Sequence, residues 1–379
     1  MKVAVVLLSC KGVMGLAGIA FANALSVLSE TLLLTGKENH LSEISDSVKE
    51  YVFELEGQNF KNLIKVKQLK RAIQVIKTLE PDLVVFYSLH LFNLPILLSL
   101  KKSMPSVKSI YVFHDPIKRA KYGVSRQSLF EFLSFIHNYF MLRNVDAIQF
   151  TYSKALEIFR ATRKPKSGVT LFSVPLIPLT ALKSQNQKEL KPLSKNDKKK
   201  EFDLIFFGRI DNYKDFHTFF QALSLIYREK AITVLMIVQG DLKKLPLKNY
   251  PELEGRIRII NTFLTEDEFE HLVSKSKSSV FPYFEATASH GPSVSFSNGV
   301  PVIASNVGCF EEYINHFGEG ICIEPQNPQH LAEAISTMLN KPIDSEAIKK
   351  KNRDATTATI QKQIGNILDL FEEKNLKKG

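Results

Sequence analysis

At 379 residues, 44% of them apolar and 23% charged, the chain has the length of two or three globular domains, which excludes a disordered or fibrous class. Three cysteines at wide spacings (Cys10, Cys309 and Cys322) exclude a disulfide framework or a cysteine-held zinc site and fit a reducing compartment. The net charge of +11 is uneven: residues 1–180 hold 23 Lys and Arg against 13 Asp and Glu, and residues 181–201 hold 7 against 3, whereas residues 202–340 hold 11 against 17 and residues 341–379 hold 9 against 6. A basic first half beside an acidic second predicts an anionic partner for the first half. An anionic membrane surface or a phosphorylated lipid suits it better than nucleic acid, because no exposed aromatics interleave the cations.

The run KVAVVLLS at residues 2–9 predicts a strand buried on both faces. A glycine loop over residues 12–18 and a helix over 16–28 follow; residues 12–29 carry no charge, but their glycines and Asn23 argue against a membrane span. The loop has no full GxGxxG, so a dinucleotide fingerprint is not supported. Short strands are expected at 31–35 and 51–54. Residues 59–79 then form an amphipathic helix, with Leu63, Val66, Leu69, Ile73 and Ile76 on one face and Lys61, Lys65, Lys67, Lys70, Arg71 and Lys77 on the rest. That basic face is a solvated one or a membrane-contacting one. Further strands are expected at 83–87, 109–113, 146–150 and 169–174, with a helix over 128–142. His114 stands at a strand's carboxyl end, in a His-Asp-Pro turn followed by Lys118, Arg119, Lys121 and Arg126, a setting fit for an anionic acceptor or a membrane surface. A structurally satisfied histidine is the other reading.

Residues 181–201, rich in Lys, Asn and Gln, lose all periodicity and read as a linker. A second alternating series follows: a strand at 203–207, a loop with Gly208, Arg209 and Lys214, a helix to 227, a strand at 232–238, and a helix capped by Thr265 and Glu268. Next comes VFPYFEATASHGPSVSFSNGVPVIASNVGCFEE at 280–312: strand, small polar loop, helix from Pro292, strand. In parallel sheets ligands lie beyond the carboxyl ends of strands and anions at helix amino termini. Glu285 beside such a terminus would suit a sugar nucleotide, the carboxylate taking hydroxyls and the amides a diphosphate. A strand at 320–324, a helix over 328–339 and a basic helical tail from 343 complete the chain.

The pattern PY-x-EA-x-x-S followed by G-x-PVIAS-x-x-G-x-x-x-E resembles the donor-site signature of family 4 glycosyltransferases of GT-B fold, bacterial polysaccharide or glycolipid type. The segment FFGRIDNYKDFHTFFQAL is similar to that family's G-R-x(4)-K stretch, about 75 residues upstream. The resemblance covers the second half well and the first half loosely. It implies an α/β chain of two facing doubly wound Rossmann-like domains, an acceptor domain at 1–180 and a donor domain at 202–342, with a C-terminal helix at 343–379 crossing back to the first domain. It implies a retaining, metal-independent transferase that moves a sugar from a nucleotide-diphospho-sugar to a saccharide or lipid-diphosphate-linked acceptor. The enzyme would be cytoplasmic and peripherally attached to the inner face of the membrane.

Glu285, Arg209, Lys214 and His114 would be catalytic, Gly208, Ser289, His290, Gly291, Glu312 and Gly12 would bind the donor, and no cofactor is expected. For Glu312, electrostatics at a helix start is an equal reading. The family's second glutamate, eight residues after Glu285, is Ser293 here, and its Gly-Gly is Gly308-Cys309. Ribose recognition is therefore unassigned. Two other classes stay open: a nucleotide-sugar 2-epimerase of the same fold and a non-catalytic partner subunit.

Overall fold

A computed structural model describes residues 1–9, 13–37, 44–55, 65–114, 127–163, 165–177, 199–262 and 264–372. They divide into two compact units, Met1–Leu182 with Thr359–Gly379 and Lys183–Ala358. Among the described residues, unit 1 is built on β1 (Lys2–Leu7), α1 (Val13–Ser26), β2 (Glu30–Gly36), β3 (Val48–Phe53), α2 (Val66–Leu79), β4 (Leu83–Phe86), α3 (Asn93–Ser103), β5 (Lys108–Phe113), α4 (Gln127–Asn144), β6 (Ala147–Phe150), α5 (Ser153–Thr162) and β7 (Thr170–Ser173). Its strands are all parallel, in the order β3-β2-β1-β4-β5-β6-β7. Val3–Leu7, Leu83–Phe86 and Ile110–Phe113 are buried, which explains their continuous apolar runs: a parallel strand covered on both faces has no solvent side to make polar.

Unit 2 contains β8 (Phe202–Arg209), α6 (Phe216–Tyr227), β9 (Val234–Gln239), β10 (Ile257–Ile260), α7 (Glu266–Ser274), β11 (Ser276–Phe281), α8 (Gly291–Ser297), β12 (Val302–Ser305), α9 (Phe310–Phe317), β13 (Gly320–Ile323), α10 (Pro328–Asn340) and the start of α11 (Ser345–Glu372). The second sheet is also parallel, ordered β10-β9-β8-β11-β12-β13. Two doubly wound Rossmann-like units are the architecture the sequence led us to expect. The expected capping box is present: Thr265 accepts from the Glu268 amide while the Glu268 carboxylate accepts from the Thr265 amide at 2.8 Å. Helix α11 begins in unit 2 and, from Thr359, belongs to unit 1, where Gln363 donates to Gln149 of β6 at 2.9 Å, both side chains buried.

Several expectations are corrected. The expected glycine loop is helical from Val13, and Gly15 and Gly18 lie inside α1. A side chain at Gly18 would press onto Leu7 and the Tyr87 ring, so the helix gives up about 1 kcal/mol of propensity to lie close on β1. Helix α2 starts at Val66, with Asn59, Lys61 and Leu63 outside the described residues. Its buried positions are Ala72 and Ile76, and Val66 is exposed. Gly208 and Arg209 end β8 rather than following it. Helices α3 and α5 and strand β10 were not expected. They are short, at 11, 10 and 4 residues. Among the described residues no helix is long and apolar enough to cross a membrane.

One buried pair has a stability consequence. His90, after β4, and His137, on α4, are both almost fully buried, and burial pushes each imidazole down to about 4, His137 adding to the shift at His90. The native state therefore resists protonation that the unfolded chain accepts. Between about pH 6.5 and 4 the unfolded state binds more protons, so stability is full above that window and falls as the pH drops through it. Unit 1 is predicted to lose about 2 kcal/mol per histidine at pH 5 relative to pH 7. Denaturant midpoints of His137→Phe against the parent at the two pH values check this; an unchanged gap between them would refute it.

Candidate donor site

In each sheet the strand order reverses at one point, where neighbouring strands send their connections in opposite directions and leave a crevice beyond their carboxyl ends. In unit 2 that point lies between β8 and β11. The loop after β8 runs through Ile210 and Asp211 into a single 3-10 turn, Asn212–Lys214, then Asp215 in the left-handed region (φ 49°), whose carboxylate caps α6 by accepting from the Thr218 amide at 3.2 Å. The loop after β11 crosses over it: the Phe284 amide donates to the Tyr213 carbonyl at 3.0 Å.

Lys214 is the centre of this crossing. Its side chain is 5% exposed, with Nζ 5.3 Å from the Tyr283 ring centroid, 5.9 Å from Phe206 and 6.0 Å from Tyr213. Nζ lies against the backbone of Gly208, where any β-carbon would fall on it, and Gly208 has φ +133°, so both space and conformation require glycine there. Burial pushes the ammonium down, to about 8; the Asp211 carboxylate opposes that shift and Arg209 adds to it. Arg209 itself is exposed and pairs with Asp211, Nη2 to Oδ2 at 3.2 Å. The two cations expected to act alike thus differ: Lys214 is the inner charge and Arg209 the outer, with Asp211 acting on both.

Glu285 is half-buried in the loop that follows Tyr283. That loop is laced to the next one. The Cys309 amide donates to the Thr287 carbonyl at 2.9 Å, and the Ser289 amide reaches Cys309 Sγ at 3.3 Å. Gly308, at φ +56°, passes under the carbonyls of Ala286 and Thr287 with no room for a β-carbon. Burial pushes the Cys309 thiol up to about 12, so it is neutral and serves packing. Gly291 opens α8 against the Phe281 ring, with His290 as the residue before it. Ser293, at the place of the second glutamate, is buried. Glu312 lies in the first turn of α9, close enough to Cys309 to help raise its thiol. Glu285, Ser289, His290, Gly291 and Glu312 therefore share one loop cluster with Gly208, Arg209 and Lys214.

Unit 1 repeats the rule between β1 and β4. There Ser9 donates its amide to Ser88 Oγ at 3.2 Å, and His114, just past β5, holds the Tyr87 carbonyl through Nε2 at 2.7 Å, its ring 5.3 Å from that of Tyr87. Gly12, Lys118, Arg119, Lys121 and Arg126 lie outside the described residues. Sequence reasoning missed Tyr213, Tyr283 and Asp211. The signal was present, because both tyrosines flank residues already singled out.

The two parallel, doubly wound Rossmann-like units have the GT-B architecture. Residues 187–355 match the family described as glycosyl transferases group 1, a segment that falls within unit 2. Among solved structures the chain is similar to a sucrose-phosphate synthase from Thermosynechococcus elongatus (TM-score 0.67, 15% identity, covering 99% of this chain and 100% of that one). It is similar to Anabaena HepE solved with UDP-glucose (TM-score 0.61, 15% identity, 97% and 99%). A third likeness is to the structure of trehalose-6-phosphate from E. coli bound with UDP-2-fluoro glucose (TM-score 0.64, 12% identity, 98% and 99%). At these identities the likeness is one of fold. No curated protein matches the chain by sequence.

A buried ammonium poised near pH 8 makes anion binding pH-dependent. An anion on Lys214 favours the charged form, so binding draws in a proton wherever the free amine is partly neutral. With UDP as probe, affinity is predicted to hold at pH 7 and to fall about tenfold per unit above pH 8. Calorimetry in buffers of different ionisation enthalpy should show proton uptake at pH 8, and Lys214→Arg should flatten the profile. A flat profile in the parent would show that Lys214 does not meet the anion.

Proposed function

We propose that this protein transfers a glycosyl group from a nucleotide-diphospho-sugar held by unit 2 to a saccharide acceptor. In this reading the acceptor is carried on a lipid diphosphate at the inner face of the membrane, and the product enters a cell-surface polysaccharide or glycolipid. The reaction retains anomeric configuration and uses no metal. The observation that carries the reading is the placement of Lys214, Arg209 and Glu285 around one topological switch point. Cleaving the anomeric bond builds negative charge on the departing diphosphate. Cations fixed beforehand stabilise that charge without reorganising, and each contributes on the order of 3 kcal/mol to the barrier when so placed. Arg209 offers a planar fork and Lys214 a point charge from within the rings. Glu285 is assigned to the donor sugar's hydroxyls, and His114, beside Tyr87 in unit 1, to the acceptor. The solved relatives carrying UDP or UDP-sugars make UDP-sugars the first donors to try.

Glu285→Ala and Arg209→Ala are each expected to lower transfer at least about a hundredfold with the fold intact. The assay is a panel of nucleotide sugars with and without a lipid-linked acceptor, product stereochemistry read by NMR. Near-parental transfer by folded Arg209→Ala would remove the diphosphate assignment. No turnover of any donor by the parent would favour the partner-subunit reading.

His114→Ala separates the half-sites. Its expected effect is a raised KM for acceptor with UDP affinity unchanged. Loss of UDP affinity with normal acceptor use would put His114 on the donor side instead.

A further inference from the structure

From Phe132 on, helix α4 in unit 1 turns polar groups inward and rings outward. Its inward positions include Ser134 and His137 along with Met141, all buried, while Phe132, Phe135, Tyr139 and Phe140 stand on the outside, between 44% and 57% exposed. The spacing i, i+3, i+7, i+8 sets the four rings on one stripe. A soluble helix normally presents the opposite pattern, and a contiguous exposed apolar patch marks a surface that something covers.

Charge says what covers it. Arg143 continues the stripe one turn beyond Tyr139, its guanidinium 4.3 Å from that ring's centroid. Beside it is a cavity of about 290 Å³ walled by Phe135, Tyr139 and Phe159 and carrying Arg143, Arg163 and Lys166; among the described residues no carboxylate lines it. Arg163 in turn lies 5.9 Å from the Phe113 and Phe159 rings. Rings beside a cluster of cations match the boundary of an anionic leaflet, where aromatic side chains settle at headgroup depth and guanidinium groups meet phosphates. A second copy of the chain fits poorly: an isologous contact through this face would set its cations against their own copies.

We propose that the outer face of α4, with the cavity edged by Arg143, Arg163 and Lys166, is the surface by which this protein docks on an anionic phospholipid bilayer. Only its choice of occupant rests on the functional reading above, and vesicle binding is measured without any sugar donor. This surface takes the place of the basic side of α2, where Lys67, Lys70 and Arg71 are exposed around a helix that already buries Ala72 and Ile76.

The test is flotation of the full chain with vesicles of phosphatidylcholine alone or mixed with phosphatidylglycerol, at low and high salt. The parent is expected to float with the mixed vesicles, less at high salt, and to stay behind with phosphatidylcholine. Two variants should each lose at least about tenfold in vesicle affinity: Phe135→Ser with Tyr139→Ser and Phe140→Ser, and Arg143→Glu with Lys166→Glu. UDP binding and circular dichroism serve as controls for folding. Lys65→Gln with Lys70→Gln and Arg71→Gln should float like the parent. Three results would overturn the proposal: the α2 variant alone losing vesicles, a parent that floats with neither composition, or a parent dimer that the Phe135→Ser triple variant makes monomeric.

Discussion

An ammonium group held among aromatic rings is the constraint on which the loop cluster of unit 2 depends. Taking a lysine to 5% exposure, with no carboxylate in contact among the described residues, disfavours its charged form, so burial pushes the Lys214 ammonium down. What offsets the cost is visible around it. Three ring faces within 6.0 Å contribute cation–π attraction of about 0.5–2 kcal/mol in such desolvated settings, and Asp211 adds a carboxylate at longer range. Those offsets are partial, so the charge is held ready for an anion rather than neutralised by a neighbour. The rest of the site follows from keeping it there. Gly208 must lack a side chain, Tyr213 and Tyr283 must be tied together, and the Phe284–Tyr213 backbone bond ties them.

Unit 1 handles its polar interior differently. His90 and His137 are buried as neutral rings, and Tyr111 meets both its own partner Asn138 at 2.6 Å and the His137 ring. Placing polar groups on the inner side of α4 leaves its aromatics on the outer side. The inverted helix is thus one arrangement seen from two sides: a polar core face that weakens the unit in acid, and an outer stripe that stays dry only when something lies on it.

Much of this was legible in the sequence, for reasons that can be named. Continuous apolar runs such as VAVVL, LVVF and IYVF have no solvent face, so they read as central parallel strands and were placed to within a residue or two. Gly208, Arg209, Lys214 and Glu285 were singled out by motif spacing, and the fold brings the loops that carry them to one switch point. What escaped was set by tertiary contact. That Lys214 is buried while Arg209 is exposed depends on how the loop after β11 lies across the loop after β8, which no local pattern encodes. Gly18 looked like a loop residue because its purpose, close approach of α1 to Leu7, lies in another element. The stripe on α4 was hidden because its rings alternate with residues as apolar as themselves, leaving no contrast for periodicity to detect.

The way the three loops of this cluster are fastened leaves most of their side chains free to vary. The three loops are joined by main-chain groups: Phe284 to Tyr213, and Cys309 to Thr287, with Gly308 lying under the carbonyls of Ala286 and Thr287. Main-chain bonds do not specify side chains, so most positions are free to change. Only where backbone passes within contact distance of backbone is a residue type forced, and then it is glycine. Gly308 meets that condition. Its neighbour does not: residue 309 directs its β-carbon into a buried space, which is why a cysteine fits there and even gains the Ser289 amide as a partner. Ser293 follows the same logic, being buried within α8 where a short side chain packs without a charge to solvate. The departures from the pattern this segment resembles therefore fall where the backbone leaves a choice, and Gly308, which it does not leave free, keeps that pattern's glycine.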